Sequence, residues 1–253
     1  MPEAPHPRRS PWALRDGEIH VWRASLDRPA PSVLALRALL SEDERARADR
    51  FLLEHHRRRF AVCRGLLRVV LGRYLNRPPE RLAFAYGPSG KPTLAGPAPL
   101  LFNVSHSDEL AVYAVARDRE ISIDVERVRP VAQPENIADH FFSPPERHAL
   151  RAVPPERRLE AFYDCWTRKE AYVKARGEGL GHPLDQFAVS FGPGAPARLM
   201  PVSADSAREI AGWSLQALSP GAGYVGALAA RGDGWRTVQR RWPDPRGNAS
   251  AAC

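Results

Sequence analysis

Two carboxylates lie close together in the segment Ile121-Ser-Ile-Asp-Val-Glu126. Apolar and polar residues alternate here, as is typical of a β-strand, so Asp124 and Glu126 are expected to project from the same face. Neighbouring carboxylates repel each other unless a positive charge neutralises them, and a hard divalent cation such as Mg²⁺ prefers oxygen ligands. The alternative is an exposed strand face paired with Arg127 and Arg129, and these acids taken alone favour that alternative.

A second set of candidate residues lies on a predicted helix that has Pro155 in its first turn and ends at Gly177. Trp166, Glu170 and Lys174 are spaced four residues apart, so they share one face of that helix. On a solvated surface, Glu170 and Lys174 would form only an ion pair worth about 0.3–0.5 kcal/mol. The composition of the chain argues against the interpretation of Glu170 and Lys174 as only a surface ion pair.

The basic residues are divided very unevenly between lysine and arginine. The chain has 37 Lys and Arg residues, and the three lysines among them are Lys91, Lys169 and Lys174. A lysine in a chain that otherwise uses arginine indicates a site that needs a compact point charge or a releasable proton, which guanidinium does not supply. We therefore expect Lys174 to take part in chemistry, while the sequence indicates no purpose for Lys169.

Two further segments carry polar groups near turns. In Asn103-Val-Ser-His-Ser107, Ser105 and His106 would point to opposite faces of a strand and no G-x-S-x-G motif is present, so the segment indicates an anion contact rather than a hydrolase. The segment Gly87-Pro-Ser-Gly-Lys-Pro92 has the composition of a phosphate loop. It lacks the G-x-x-x-x-G-K-[ST] spacing and no helix follows it, which argues against a nucleoside triphosphate site.

A long helical stretch is predicted to support these segments. Ser41, with Glu44 three residues later, forms a capping pattern that predicts its start. Its apolar face consists of Phe60, Cys63, Leu67, Val70, Leu71 and Tyr74. Beside that face lies a stripe of arginines at positions Arg50, Arg57, Arg64 and Arg68. The stripe is either a solvated helix face or a phosphate-holding one, and nothing local decides between them.

The chain also contains an internal repeat. Residues 101–117 and 215–231 align without a gap at an offset of 114, each predicted as a hairpin preceded by a long helix. We expect an α+β fold with a pseudo-twofold arrangement of two similar helix-plus-antiparallel-sheet halves. These are residues 1–118 and residues 119–240, which carry the carboxylates, followed by a flexible tail at 241–253. Convergence between two amphipathic hairpins is the alternative. If the repeat is real, a site in the cleft between the halves is expected.

Composition excludes several classes of protein. The longest apolar runs are shorter than the roughly 18 residues of a membrane span, and the N-terminus has no apolar signal region, so we expect a cytoplasmic protein with no membrane partner. Cys63, Cys165 and Cys253 have no C-x-x-C spacing, which argues against a disulfide framework or a zinc site and predicts two buried thiols and one in the tail. A net charge of +8 predicts an anionic partner.

The order and spacing of the motifs resemble the surfactin-type 4′-phosphopantetheinyl transferases. FNVSHS is followed about twenty residues later by IDVE and some forty further on by WTRKEAYVKARGEGL, with GKP ahead of them. The resemblance extends from the arginine-rich helix to Gly181. It implies a pseudo-twofold fold of two α+β halves. It also implies transfer of the phosphopantetheine arm of coenzyme A, with Mg²⁺, to a serine of an acyl, peptidyl or aryl carrier protein.

The resemblance implies roles for individual residues. Asp124, Glu126 and Glu170 match the three carboxylates that hold magnesium, and Glu170 is also the expected general base. Lys174 matches the lysine beside the phosphates, so Glu170 and Lys174 are the expected catalytic residues. Asp124 is also expected to lie against the coenzyme.

Further residues match the coenzyme-binding positions of the family. Ser105 and His106 match contacts near the nucleotide phosphates, and Lys91 with Arg64 resembles the basic residues that bind the coenzyme. Other arginines compete with Arg64 for this role, namely Arg50, Arg57 and Arg59. Ser122 departs from the family pattern, in which glycine is usual before the aspartate.

The implied reaction is attack by a carrier serine on the β-phosphorus of coenzyme A, which expels adenosine 3′,5′-bisphosphate. Carrier proteins are typically acidic, so the positive net charge is consistent with such a partner. The resemblance favours carriers of secondary-metabolite synthases over fatty-acid synthase. We expect a monomer, because an internal pseudo-dimer needs no second copy to complete its cleft, and we expect no nucleic-acid partner.

Two other classes fit part of the pattern. A metal-dependent nuclease also uses paired acids and a lysine, but it would favour an acid-x-Lys spacing on a strand, whereas Glu126 is followed by Arg127 and Val128. A basic nucleic-acid binder without enzymatic activity would leave the D-x-E and K-E-x-x-x-K spacings unexplained, and it would bind DNA in a salt-sensitive manner.

Overall fold

The strands and helices of the chain repeat one order of elements twice in the computed structural model of the protein. The structure describes residues 10–87, 90–131, 133–177, 183–192 and 194–243. In each repeat, a strand is followed by two short helices, one long helix, a small two-stranded sheet and a hairpin, and the second repeat has one more short helix before its hairpin. This order agrees with the two halves expected from the sequence.

The elements of the first repeat are β1 (Glu18–Ser25), α1 (Ala30–Ala38), α2 (Glu42–Asp49), α3 (Glu54–Leu75), β2 (Phe84–Tyr86), β3 (Pro92–Leu94), β4 (Leu100–Ser107) and β5 (Leu110–Arg117). Those of the second are β6 (Ile121–Arg127), α4 (Pro134–Phe141), α5 (Pro144–Ala152), α6 (Pro155–Arg176), β7 (Phe187–Val189), β8 (Leu199–Pro201), α7 (Ala204–Ile210), β9 (Trp213–Gly221) and β10 (Tyr224–Arg231). Strand β11 (Arg236–Arg241) follows, and short 3₁₀ turns lie at Pro79–Arg81 and Leu184–Gln186.

Two larger sheets form the centre of the molecule, one with strand order β11-β1-β5-β4 and one with order β6-β10-β9. Buried apolar residues of β1, β5, β6 and β10, such as Ile19, Val112, Ile123 and Leu228, form a core between the sheets. Helix α3 packs on the outer face of the first sheet, and α6 packs on the outer face of the second. The layers are therefore helix, sheet, sheet and helix.

The two halves correspond closely in position. The strand β10 begins and ends 114 residues after β5, which is the offset of the sequence alignment. Helices α3 and α6 each contain 22 residues and occupy the same place relative to their hairpins. The α+β fold of two similar halves is confirmed.

The prediction of one long helical stretch from Ser41 is wrong in one respect, because this part of the chain is divided into α2 and α3. The capping box of Ser41 and Glu44 is present at the start of α2, as predicted. After that helix the chain turns at Phe51, whose ring then packs 5.4 Å from the ring of Phe60 on α3. A straight helix would carry the Phe51 ring away from this apolar contact.

The last strand crosses back to the first half. β11 pairs in parallel with β1, with Arg236 opposite Glu18 and Arg241 opposite Arg23, although it follows the second half in sequence. It is an edge strand of the four-stranded sheet. The flexible tail expected at 241–253 lies outside the described residues from position 244 onward, as does Cys253.

Each half contains a buried ion pair at an equivalent place. The fifteenth residue of α3 is Arg68, whose Nε donates to Glu44 Oε2 at 2.6 Å. The fifteenth residue of α6 is Lys169, whose Nζ donates to both oxygens of Glu146 at 2.8 and 2.7 Å. Glu44 and Glu146 each belong to the capping box of a short helix. Lys169, for which the sequence indicated no purpose, therefore fastens α6 to α5.

The predicted thiols are also located by the structure. Cys63 and Cys165 are free and buried, as expected. Within the described part of the chain, no helix combines the length and the apolar character needed to cross a membrane.

We predict that Lys169→Met lowers the free energy of unfolding by about 3–5 kcal/mol, because it leaves the Glu146 carboxylate buried without its ammonium partner. Lys169 is 0% exposed and Glu146 is 1% exposed, so water does not replace the lost contact. Urea unfolding followed by circular dichroism measures the change.

Arg151→Met is the matched control. Arg151 pairs with Asp139 on the surface of the same half, and removal of this exposed pair should cost less than about 1 kcal/mol. Equal losses in the two variants would contradict a stabilising role for the buried pair.

Candidate functional site

The predicted acids converge where the two halves meet. Strand β6 positions Asp124 and Glu126, and the neighbouring α6 positions Glu170 and Lys174. Strand β4 of the first half lies alongside β6 and contributes Ser105. Alternation along β6 directs the two acids away from the core residues Ile123 and Val125, as the sequence predicts.

Asp124 is the centre of this cluster and is 2% exposed. Its Oδ1 accepts hydrogen bonds from Ser105 Oγ at 3.0 Å and from Lys174 Nζ at 2.6 Å. The same ammonium group lies 3.5 Å from Oε2 of Glu170, one helical turn earlier on α6. Lys174 therefore supplies positive charge between two carboxylates that come from different elements.

Two carboxylate oxygens in the cluster have no hydrogen-bond partner. Asp124 Oδ2 and Glu170 Oε1 are both buried and unbonded among the described residues. Buried oxygen lone pairs without a donor are costly unless a cation or water satisfies them. Glu126, whose Oε2 accepts from Ser107 Oγ at 2.8 Å, adds a third carboxylate on the same strand face. This all-oxygen donor set suits a hard cation such as Mg²⁺.

The acids are not drawn together into a closed metal-binding set. Among residues that the structure describes, no three His, Cys, Asp or Glu side chains meet in the arrangement of a metal site. The ammonium group of Lys174 lies between Asp124 and Glu170 and neutralises part of their charge. A divalent ion that bound the two orphaned oxygens would take over part of that neutralisation.

Burial governs the protonation of the cluster. Loss of water raises the pKa of each of the three carboxyls, Asp124, Glu126 and Glu170, although Lys174 or the Ser107 hydroxyl partly offsets this. Burial by itself would lower the pKa of the Lys174 ammonium. The contacts of that ammonium with Asp124 and Glu170 outweigh burial, so its pKa lies above the usual value and it stays protonated at neutral pH.

His106 follows Ser105 on β4 and is exposed. Neighbouring protein displaces part of the water around its ring, and the charges of Lys174, Arg47 and His56 repel a proton there, so the pKa of His106 is lowered. Arg47 also lines a surface recess of about 370 Å³ together with Arg50 and Phe51. The sequence analysis did not single out Arg47, which only the tertiary structure places near His106.

Lys91 reaches the second half from the loop between β2 and β3. Its Nζ donates to the carbonyl oxygens of Ile121 at 3.3 Å and Lys174 at 3.2 Å. Burial lowers the pKa of Lys91. The ammonium group therefore lies at the end of α6 that carries Lys174, close to the first residue of β6. The neighbouring Pro88 and Ser89 lie outside the described residues.

Arg64 is not part of the acid cluster. Its guanidinium group lies 5.5 Å from the ring centres of both Phe84 and Tyr86, donates to the Tyr86 hydroxyl and lies 3.4 Å from Oε1 of Glu44. These contacts attach the small β2-β3 sheet to α3. They do not support the coenzyme contact expected for Arg64.

Ser122 fits without crowding the site. Its hydroxyl is buried and donates to Oδ1 of Asn103 on β4 at 3.1 Å. The hydroxymethyl group that replaces the usual glycine is therefore used in the contact between the two halves.

Comparison with known proteins identifies the class that this fold and site define. A profile of the 4′-phosphopantetheinyl transferase superfamily matches residues 120–229. A second profile, described as the N-terminal part of a 4′-phosphopantetheinyl transferase, matches residues 22–118. Together the two profiles cover both halves of the molecule.

Relatives of similar length support the same assignment. The 4′-phosphopantetheinyl transferase HetI of a Nostoc species is 42% identical over 226 residues, which are 88% of this chain and 92% of HetI. A 4′-phosphopantetheinyl transferase of Bacillus subtilis is 32% identical over 68% of this chain and 76% of its own. The chain therefore belongs to the 4′-phosphopantetheinyl transferase superfamily and is an enzyme of this class.

A solved structure is also similar in part. It is described as an ACPS–CoA complex of Chronobacterium ammoniagenes, and it matches 46% of this chain and 99% of its own, with 17% identity and a TM-score of 0.34.

We predict that Glu170→Gln raises the melting temperature by about 2–4 °C at pH 8 in the presence of a chelator. A carboxyl whose pKa is higher in the folded state than in the unfolded state costs stability when ionised. That cost disappears as the pH falls below the folded-state pKa of Glu170, so the difference between variant and wild type should shrink on acidification.

Differential scanning calorimetry between pH 4 and pH 8 measures this dependence. Glu160→Gln, on the same helix but exposed and paired with Arg157, is the control and should show no such trend. A Glu170→Gln variant that melts below wild type at pH 8 would contradict the assigned cost of burial.

Proposed function

We propose that this chain is a surfactin-type 4′-phosphopantetheinyl transferase, which moves the phosphopantetheine arm of coenzyme A to a serine of a carrier protein in a Mg²⁺-dependent reaction. The observation that carries the proposal is the contact of Lys174 with both Asp124 and Glu170, beside Glu126 on the same face of β6, where the two halves meet. Similarity to HetI over nearly the whole chain supports it. The released product is adenosine 3′,5′-bisphosphate.

In the proposed reaction, the oxygen of the carrier serine forms a bond to the β-phosphorus of coenzyme A. The bond from that phosphorus to the bridging oxygen breaks, and the bridging oxygen leaves on adenosine 3′,5′-bisphosphate. The serine proton passes to Glu170, whose buried carboxylate has an unbonded oxygen, Oε1. The raised pKa of Glu170 supports this role, because it makes the carboxylate a stronger base.

Lys174 stabilises the negative charge that develops on the departing phosphate. Its ammonium group remains protonated at neutral pH, and its side chain is 39% exposed, so it can reach a ligand as well as the carboxylates. The compact ammonium lies 2.6 Å from Asp124 and 3.5 Å from Glu170, and a planar guanidinium would present a larger donor set of different geometry there.

Mg²⁺ fits the carboxylate set. Asp124, Glu126 and Glu170 would hold it, with the orphaned Asp124 Oδ2 as one ligand and Glu170 contributing the oxygen that does not take the serine proton. When bound, the ion neutralises the pyrophosphate of the coenzyme and acts as a Lewis acid.

Coenzyme A is proposed to lie along the open side of the cluster, against Asp124. The resemblance assigns Ser105 and His106 to its phosphates. The lowered pKa of His106 leaves a neutral imidazole that donates one N–H, whereas the Ser105 hydroxyl would have to turn its proton from Asp124 to a phosphate oxygen. Lys91, whose ammonium group lies at the end of α6, is proposed to bind the coenzyme as well. We assign the remaining phosphate contact to Arg47 rather than Arg64, because Arg47 is exposed near His106 while Arg64 is buried against aromatic rings.

The partner is proposed to be an acidic carrier protein of a secondary-metabolite synthase. The net charge of +8 supports an electrostatic attraction between the two proteins.

We propose a cytoplasmic monomer that binds neither nucleic acid nor membrane. The division into halves at residues 1–118 and 119–240 is supported by the boundary between the two matched family profiles.

Asp124→Ala and Glu170→Gln are each predicted to lower the rate of transfer by at least about 10²–10³-fold, because they remove ligand oxygens and, in the second variant, the base. Mass spectrometry of a carrier protein incubated with enzyme, coenzyme A and Mg²⁺ measures the added phosphopantetheine. Glu160→Gln is the control and should transfer at the wild-type rate. Normal transfer by both site variants, or transfer by wild type in excess chelator, would contradict the proposal.

Lys174→Arg is predicted to slow transfer by about tenfold or more, although it retains the charge. The larger guanidinium group would pair with Asp124 through two hydrogen bonds and displace Glu170 from its position. The reciprocal exchange Arg176→Lys is the control, since Arg176 lies on the same helix but pairs with Glu209 on α7. Equal rates for Lys174→Arg and wild type would show that a point charge is not required.

A further inference from the structure

Every second residue at the end of strand β4 contacts the second half through its side chain. Asn103 Oδ1 accepts the backbone N–H of Ile123 at 2.9 Å. The hydroxyl oxygens of the next two residues of this face accept in the same way, Ser105 from Val125 at 3.3 Å and Ser107 from Arg127 at 3.2 Å. We name these three residues, Asn103, Ser105 and Ser107, the β4 ladder.

The ladder meets a need of strand β6. This strand is at the edge of the three-stranded sheet, so N–H groups on its free side have no neighbouring strand. Ile123 and Val125 are fully buried, and a buried N–H group without an acceptor costs free energy comparable to a lost hydrogen bond. The β4 side chains replace the carbonyl oxygens that another strand would supply.

The same side chains also contact the polar face of β6. Ser105 Oγ donates to Asp124 and Ser107 Oγ donates to Glu126 Oε2 at 2.8 Å. A hydroxyl has one proton and two lone pairs, so each serine can accept a backbone N–H and donate to a carboxylate at the same time. The backbone bond fixes the position of the oxygen, and the hydroxyl proton then fixes a carboxylate.

Ser107 is the member of the ladder with no other assigned role. Glu126 is less buried than Asp124. Its carboxylate accepts a hydrogen bond from the Ser107 hydroxyl. Without that bond, the long side chain would gain rotamer freedom and could turn toward the nearby charge of Arg129.

We infer that Ser107 is a positioning residue, which fixes the Glu126 carboxylate on the face of β6 that carries Asp124 and thereby sets the affinity of the site for a divalent cation. This inference rests on the proposed function, since it takes Glu126 as a metal ligand. Partners that orient metal-binding side chains typically contribute 10–100-fold to metal affinity.

The test is a titration of the full-length protein with Mn²⁺, followed by electron paramagnetic resonance, with and without coenzyme A. Ser107→Ala should bind Mn²⁺ about 10–100-fold more weakly than wild type. Ser107→Thr keeps the hydroxyl and should bind within about threefold of wild type. Ser219→Ala is the matched control, because Ser219 lies 114 residues after Ser105 on the equivalent hairpin and is exposed.

The outcomes separate the inference from the proposed function. Equal Mn²⁺ affinity of Ser107→Ala and wild type would overturn the inference, as would a loss in Ser107→Thr as large as that in Ser107→Ala. In either case, transfer by wild type would leave the proposed function intact. Failure of wild type to bind Mn²⁺ under both conditions would overturn the metal site and the inference together. Thermal melting of Ser107→Ala within about 5 °C of wild type shows that the fold is retained.

Discussion

The contact between strands β4 and β6 is the constraint on which the rest of the structure depends. Two sheets that belong to different halves meet there at their edges, and side chains rather than backbone carbonyls satisfy the buried N–H groups of β6. Serine and asparagine suit this role, because each combines a short side chain with an acceptor and a donor. The acids of β6 project beside this contact, so the same interaction that joins the halves also orders the site.

The cost of the site is electrostatic. Three carboxyls with raised pKa values and two unbonded oxygens lie around Asp124, and Lys174 offsets only part of their charge. Each half has its own apolar core and its own buried ion pair, Glu44 with Arg68 and Glu146 with Lys169, and neither pair belongs to this cluster.

Among the described residues, the acids of β6 have no acidic counterparts at the equivalent positions of β1. Trp22 on β1 lies opposite Tyr113, and Asp124 on β6 lies opposite Ala227. Because Tyr113 and Ala227 are separated by the repeat offset of 114, Trp22 and Asp124 occupy equivalent places in the two halves. By the same comparison Ala24 corresponds to Glu126. Strand β1 thus has apolar residues at the positions where β6 has acids, and β11 and Trp242 pack against the first half beside β1.

The local patterns of the sequence determined the elements and much of the cluster. Alternation from Ile121 to Glu126 and the four-residue spacing of Glu170 and Lys174 depend only on backbone geometry, so strand, helix and shared faces were predicted correctly. Tertiary structure alone decided that α2 brings Arg47 near His106, that Arg64 is buried against Tyr86, and that Lys169 has a structural partner. These contacts join residues far apart in the chain, and whether a charged side chain meets a ligand, an aromatic ring or a buried carboxylate depends on packing that no local spacing encodes.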